Sequence, residues 1–229
     1  MGALTANRPK PLLAVRGRCL IERVLSGLRT TGIERAVVVT GYLGEQIAAF
    51  LGDGSRLGLQ LVYERQGRAD GTGRALLLTQ PHVSDDAFLL SWGDVLVSPS
   101  FYGELLRAFA AAPCEVALAV NEVDDPWRGA AVYVDADWRV TRLEEKPPRG
   151  TSTTCWNNAG IFVFRQSIFR YAATLPASPR GEYELPQAIA RMVDDGCPVR
   201  AVPIHGFWSD VGTPEDLEKA EREYPNDEC

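Results

Sequence analysis

The chain has 229 residues, 45% hydrophobic and 24% charged, a balance that suits a globular protein able to bury a core of its own. Its formal net charge of −6 argues against a nucleic-acid-binding surface, and no apolar run approaches the roughly 20 residues of a membrane-spanning helix. Five scattered cysteines without a Cys-x-x-Cys pair, and only two histidines, argue against a disulfide framework, a zinc cluster or a Ser-His-Asp triad. Reduced thiols and a cytoplasmic location are the expectation, and the first ten residues hold no apolar segment of the signal-peptide kind.

Taken in order, Asn7-Arg-Pro-Lys-Pro-Leu-Leu13 carries prolines on both sides of Lys10 and reads as a stiff extended loop. Leu20, Ile21, Val24, Leu25 and Leu28 repeat at helical spacing up to Gly32, predicting an amphipathic helix with a glycine stop. Strands are predicted at 36–40 and 59–63, with a short helix at 45–51 between them. A helix at 75–78 follows, and the apolar run from Leu89 ends as a buried strand in Trp92-Gly93-Asp94. A helix over 101–112 completes the first half. After Pro113 strands are expected at 116–120, 130–134, 139–143 and 160–164, with fewer helices between them. A helix over 182–193, a strand at 199–204 and a helix over 214–224 close the chain. The last starts at Thr213-Pro214, an N-cap followed by proline. This alternation predicts one α/β domain over 1–229, with a mostly parallel sheet, helices on both faces and a more β-rich second half.

Polar chemistry collects at the strand ends, where α/β sheets bind ligands. Asp94, with few basic neighbours, suits a hard cation such as Mg²⁺, although taken alone it reads more readily as an Asp capping the next loop. Lys10 is either a lysine held at a fixed angle or part of a solvated basic terminus. In Gln66-Gly-Arg-Ala-Asp-Gly71-Thr72-Gly73 the glycines let the backbone approach a ligand, and amides at the helix start suit anionic groups. Gln66 offers one donor and one acceptor, the complement of a uracil or thymine imide edge. A plain glycine-rich turn is the other reading, and a Walker loop is ruled out because Gly-Lys-Ser/Thr is missing. In Glu144-Glu145-Lys146-Pro147 the lysine suits phosphate and a carboxylate suits sugar hydroxyls, though a solvated strand end reads the same. Trp208-Ser-Asp210 sets a second carboxylate at a strand end, so that Asp94 and Asp210 could share a metal bridging phosphate oxygens.

The order and spacing of these pieces resemble the sugar-phosphate nucleotidyltransferase family, the nucleotide-sugar pyrophosphorylases, from Leu4 to about Ala220. The matching pieces are Arg8-Pro9-Lys10-Pro11-Leu12, Gln66 with Gly71-Thr72-Gly73, Gly93-Asp94, Glu145-Lys146-Pro147, Asn158-Ala159-Gly160 and Trp208 to Pro214. The resemblance implies a Rossmann-like fold and a Mg²⁺-dependent reaction. In it a sugar 1-phosphate attacks the α-phosphate of a nucleoside triphosphate, releasing pyrophosphate and an NDP-sugar. It also implies a catalytic set of Lys10, Asp94, Lys146 and Asp210. Asp94 and Asp210 would hold Mg²⁺, and Lys10 would contact the nucleotide phosphates. Gln66 and Gly71 would face the base, with UTP or dTTP favoured by Gln66, and Thr72 would also bind the nucleotide. Lys146 would hold the sugar phosphate, and Glu145, Asn158, the Gly129 backbone and Glu184 would contact the sugar. The implied partners are the two small substrates, with no nucleic acid or membrane; a homo-oligomer is left open.

One departure accompanies the resemblance. The family begins with a strand and a Gly-x-Gly-Thr-Arg-type loop around the triphosphate, and this chain starts at a point corresponding to just beyond it. An internal methionine taken as Met1 would account for this. Two other functions stay open: a metal-dependent glycosyltransferase, for which Asp94-Val-Leu supplies no Asp-x-Asp, and a weak or inactive NDP-sugar-binding homologue.

Overall fold

The computed structural model describes residues 2–225. Its first half runs β1 (Ala14–Val15), β2 (Arg18–Cys19), α1 (Leu20–Arg29), β3 (Arg35–Thr40), α2 (Gly44–Leu51), β4 (Gln60–Arg65), α3 (Thr72–Thr79), β5 (Ala87–Ser91), β6 (Val95–Val97) and α4 (Ser100–Ala111). The second half runs β7 (Val116–Glu122), β8 (Ala130–Val134), β9 (Val140–Glu145), β10 (Trp156–Arg165), α5 (Ile168–Ala173), α6 (Leu185–Asp194), β11 (Val199–Pro203), β12 (Trp208–Asp210) and α7 (Pro214–Glu223). The α/β class expected from the sequence is the one observed. The described residues divide into two compact units, one of 2–65, 91–104 and 205–225, the other of 66–90 and 105–204.

In the first unit α1 buries Leu20, Ile21, Val24, Leu25 and Leu28, the apolar stripe read from the sequence. Gly27 on the same helix lies against the Tyr102 ring, where a Cβ would come within 2.4 Å of Cε2. β3 and β4 pair in parallel from Arg35 opposite Gln60 to Thr40 opposite Arg65. The β-branched valines of β3 favour this extended backbone. β6 and β12 pair antiparallel, with Asp210 opposite Val95. Leu13, Val15, Leu20, Leu96, Val211, Ala220 and Tyr224 form a core cluster, so α7 closes over β1 and β12.

In the second unit the sheet order is β11-β7-β10-β8-β9, with β5 also paired to β10. β11 and β7 are parallel, whereas β7–β10, β10–β8 and β8–β9 are antiparallel. The second half is therefore β-rich and mixed in direction. β7 and β10 form its centre: Val116 to Val120, Ala159 and Ile161 to Phe164 are at most 1% exposed.

Two local expectations need correction, and one element was not foreseen. Around Lys10 the chain is not extended: Lys10–Leu12 form a 3₁₀ turn, with Leu12 N–H donating to Pro9 at 2.9 Å and Leu13 N–H to Lys10 at 2.9 Å. Proline fits a first turn, where its missing N–H is not needed. Helix α6 begins at Leu185, not 182, because Gly181 has φ 76° and Glu184 is extended ahead of Pro186 in the first turn. The short α5 was not expected; six residues give too little periodicity to read.

At the start of α7 Thr213 accepts from Asp216 N–H at 3.2 Å, and the Asp216 carboxylate accepts from Thr213 N–H at 2.8 Å. This reciprocal cap predicts that Thr213→Ala costs about 1 kcal/mol. A melting temperature about 2–4 °C lower, read by circular dichroism, is the expected result for a chain of this size.

Candidate active site

In the first unit three chain-distant residues meet. Lys10 Nζ lies 2.6 Å from Asp94 Oδ2 and 3.4 Å from Asp210 Oδ1. Each residue is placed by its own element. The 3₁₀ turn sets Lys10, with Pro11 lying over Gly93 at 3.8 Å from where a Cβ would stand. The β6–β12 ladder sets the two aspartates, extended by Val211 N–H donating to Asp94 carbonyl oxygen at 3.2 Å. Both carboxylates stay partly open to solvent, at 29% and 47% side-chain exposure. Burial alone would favour the neutral Lys10 amine, but Asp94 and Asp210 outweigh it and raise its pKa. Asp210 is pushed up by burial and by the Asp94 charge, against the pull of Lys10. The pair thus binds one cation already and retains oxygen lone pairs for another.

The second unit holds the other candidates. The loop after β4 is strapped to residues 183–185: Tyr183 N–H donates to Asp70 at 2.7 Å, Gly73 N–H to Tyr183 at 2.7 Å, and Leu185 N–H to Thr72 Oγ1 at 2.9 Å. Gly71, at φ 114°, leaves no room for a side chain; a Cβ there would stand 2.4 Å from the Tyr183 carbonyl oxygen. Two expectations change. The Gly73 amide is occupied within the chain and is not free for an anion. Gln66 spends its amide hydrogens on Asp70 Oδ1 and Gly71 carbonyl oxygen, both at 3.0 Å, so its carbonyl is what it has left to offer.

The β8–β9 hairpin brings Gly129 to Lys146. Ala130 pairs with Glu145, and the ladder runs one rung further, Lys146 N–H donating to Gly129 carbonyl oxygen at 2.7 Å. Gly129 N–H is taken by Pro126 at 3.1 Å, so its carbonyl, with a second lone pair, is the group left for a ligand. Lys146 has φ 45°, a left-handed conformation that ends the strand and leaves the side chain exposed. Asn158 is 3% exposed, and its Nδ2 is buried without a hydrogen-bond partner among the described residues. Glu145 and Glu184 meet through a residue not singled out in the sequence. Arg180 forms ion pairs with Glu184, with Glu182 at 3.6 Å and with Glu145 at 3.7 Å. Ser178 shapes that loop, its Oγ accepting from the Arg180 and Glu182 amides.

A profile described as Nucleotidyl transferase matches residues 2–227. The chain belongs to the nucleotidyl transferase family. Among curated relatives, the low-salt glycan biosynthesis nucleotidyltransferase Agl11 of Haloferax volcanii is 31% identical over 95% of this chain and 60% of its own length. The UTP–glucose-1-phosphate uridylyltransferase AglF of the same organism is 31% identical over 96% of this chain and 89% of its own. The glucose-1-phosphate thymidylyltransferase of Streptomyces antibioticus is 28% identical over 96% and 61%. The chain thus spans 60% of the Agl11 protein, and about half of several bifunctional GlmU relatives. Among solved structures, a putative glucose-1-phosphate thymidylyltransferase from Bacillus anthracis shares the fold. Its TM-score is 0.88 at 24% identity, over 100% of this chain and 92% of that one.

Electrostatics marks one residue of this nucleotidyl transferase chain. Burial pushes the Glu145 carboxyl up to about 7, with Lys146 and Arg180 pulling against it and Glu182 adding to it. The closest contact of Arg180 is with Glu184. The native state therefore holds this proton more tightly than the unfolded chain, whose value is near 4.5. Its stabilising contribution is complete below pH 4.5 and is lost as pH rises through about 7. Glu145→Gln removes that loss. Wild type should lose on the order of 2 kcal/mol more stability than the variant between pH 5 and 8, measured by urea unfolding. Equal losses would show that Glu145 titrates normally.

Proposed function

We propose that this chain transfers a nucleotidyl group from a nucleoside triphosphate to a sugar 1-phosphate. A phosphate oxygen of the sugar 1-phosphate bonds to the α-phosphorus, the bond from that phosphorus to the bridging oxygen breaks, and pyrophosphate leaves. The observation that carries the reading is the Lys10 ammonium held between Asp94 and Asp210. Lysine and paired carboxylates at strand ends are what a reaction needs when the protein's work is positioning and charge neutralisation. The described residues offer no cluster of three metal-binding side chains. Two carboxylates fit Mg²⁺ nonetheless, since that ion keeps waters and takes substrate phosphate oxygens for its other ligands. Asp94 and Asp210 would hold it, and it would neutralise phosphate charge. Lys10 would turn to the triphosphate and Lys146 to the sugar phosphate. Glu145, Glu184, the Gly129 carbonyl and the Asn158 amide would take sugar hydroxyls.

For the base, the Gln66 carbonyl can accept the imide N–H of uracil or thymine, which supports UTP or dTTP, with Gly71 and Thr72 shaping the same loop. The names of the Haloferax uridylyltransferase and the Streptomyces thymidylyltransferase agree with that preference. Free thiols at Cys19, Cys114, Cys155 and Cys197 support a reducing cytoplasm.

The test is pyrophosphate release with Mg²⁺, four nucleoside triphosphates, and the 1-phosphates of glucose, galactose, mannose and N-acetylglucosamine. It is run on this chain and on one extended upstream in its own reading frame. Turnover should be best with UTP or dTTP and vanish with EDTA. Asp94→Asn or Asp210→Asn should lower kcat by about 10²-fold or more. Tight NDP-sugar binding without turnover in either form would make it a binding homologue instead.

A further inference from the structure

Three asparagines are buried side by side in the second unit: Asn121 on β7, and Asn157 and Asn158 on β10, at 6%, 8% and 3% exposure. A buried amide costs free energy unless its donors and acceptors are met, and an apolar pair of similar shape often serves a fold as well. Their arrangement gives a reason for the polarity. Asn157 lies opposite Asn121 on one side and Ala131 of β8 on the other. Its Nδ2 donates to Asn121 Oδ1 at 3.0 Å and to the Asn158 carbonyl at 2.9 Å. Its Oδ1 stands 2.1 Å from where a Cβ on residue 129 would be, so the amide lies against Gly129 and only glycine fits beneath it. Gly129 in turn accepts the Lys146 amide at 2.7 Å. Beyond Asn158 the β10 register shifts, and Asn158 Oδ1 braces that irregularity by accepting Gly160 N–H at 3.1 Å.

We propose that Asn121 and Asn157 are positioning residues of the sugar-facing half-site. Their amide pair fixes the Gly129 carbonyl, the Asn158 side chain and, through Gly129, the Lys146 backbone. The pair itself would touch no substrate; it acts through Gly129, Asn158 and Lys146, and in that it rests on the function proposed above. Asn121 Oδ1 holds the Asn157 amide in one orientation. That orientation turns Asn157 Oδ1 onto Gly129 and leaves the unpartnered Asn158 Nδ2 as the donor for a sugar oxygen. Buried, hydrogen-bonded amides suit this work because a low-dielectric hydrogen bond has one favoured geometry, whereas apolar packing tolerates small slips.

The variants are Asn157→Leu, Asn121→Leu and Asn121→Asp, the last keeping an accepting oxygen. Two readouts are taken: KM for each substrate, with the sugar 1-phosphate the panel selects, and hydrogen exchange of the Lys146 amide in the ligand-free protein. Asn157→Leu should raise the KM for the sugar 1-phosphate by about tenfold or more and leave that for the nucleotide within about twofold. The Lys146 amide should exchange about tenfold faster. Asn121→Leu should move both in the same direction, and Asn121→Asp should restore them to within about threefold of wild type. Unchanged Lys146 exchange in Asn157→Leu, or the two KM values rising together, would overturn the proposal. If wild type turns over none of the four sugar phosphates, the proposed function fails, and the exchange experiment still decides whether the amide pair holds Lys146.

Discussion

A charge taken out of water must meet its opposite, and in each unit of this chain one cation is shared among carboxylates, at least one of them from a distant segment. Lys10 is held by Asp94 and by Asp210, 200 residues away. Arg180 is held by Glu145, Glu182 and Glu184. Removing either cation would leave like charges facing one another in partly desolvated surroundings. The carboxylates that make these places suitable for ligands therefore also need a resident positive group when no ligand is there.

Backbone register supplies the precision that ion pairs alone do not. The β6–β12 ladder puts Asp210 opposite the residue after Asp94. The β8–β9 hairpin closes on Gly129 and Lys146, and the β7–β10 pair sets Asn157 against Asn121. Because side chains alternate across a strand, a one-residue slip in any of these would turn the functional group to the opposite face. Positions that admit only glycine, 71 and 129, mark where two backbones or an amide approach too closely for a side chain.

For nucleotidyl transfer this division of labour is sensible. In the reaction proposed above the substrates would carry the reactive phosphorus and the leaving group, and the protein would contribute fixed cations, fixed carboxylates and a few oriented amides. Glu145 shows the tension in such a site. It is buried enough to favour the protonated acid, yet it sits beside Lys146 and within reach of Arg180. Near neutral pH it is therefore a group able to donate or to accept a hydrogen bond.

Local chemistry was legible in the residues alone. The stripe from Leu20 to Leu28, the valine strand of β3 and the Thr213-Pro214 cap each follow from spacing and side-chain type within a few residues. Asp94 and Asp210 could be singled out, as carboxylates at strand ends, and the family's order of motifs joined them. Arg180 and the Asn121–Asn157 pair could not be read, because nothing near them in sequence marks a partner 36 residues away on another strand. Nor could the spent donors of Gln66, turned back onto Asp70 and Gly71 of its own loop, or that of Gly73, which depends on how the 183–185 segment folds back. The sequence by itself determined which residues could be helix, strand, cap or ligand, because those preferences are local. Which of them meet, and which polar groups stay available, was decided by strand register and by the need to pair every buried charge, and both are properties of the assembled chain.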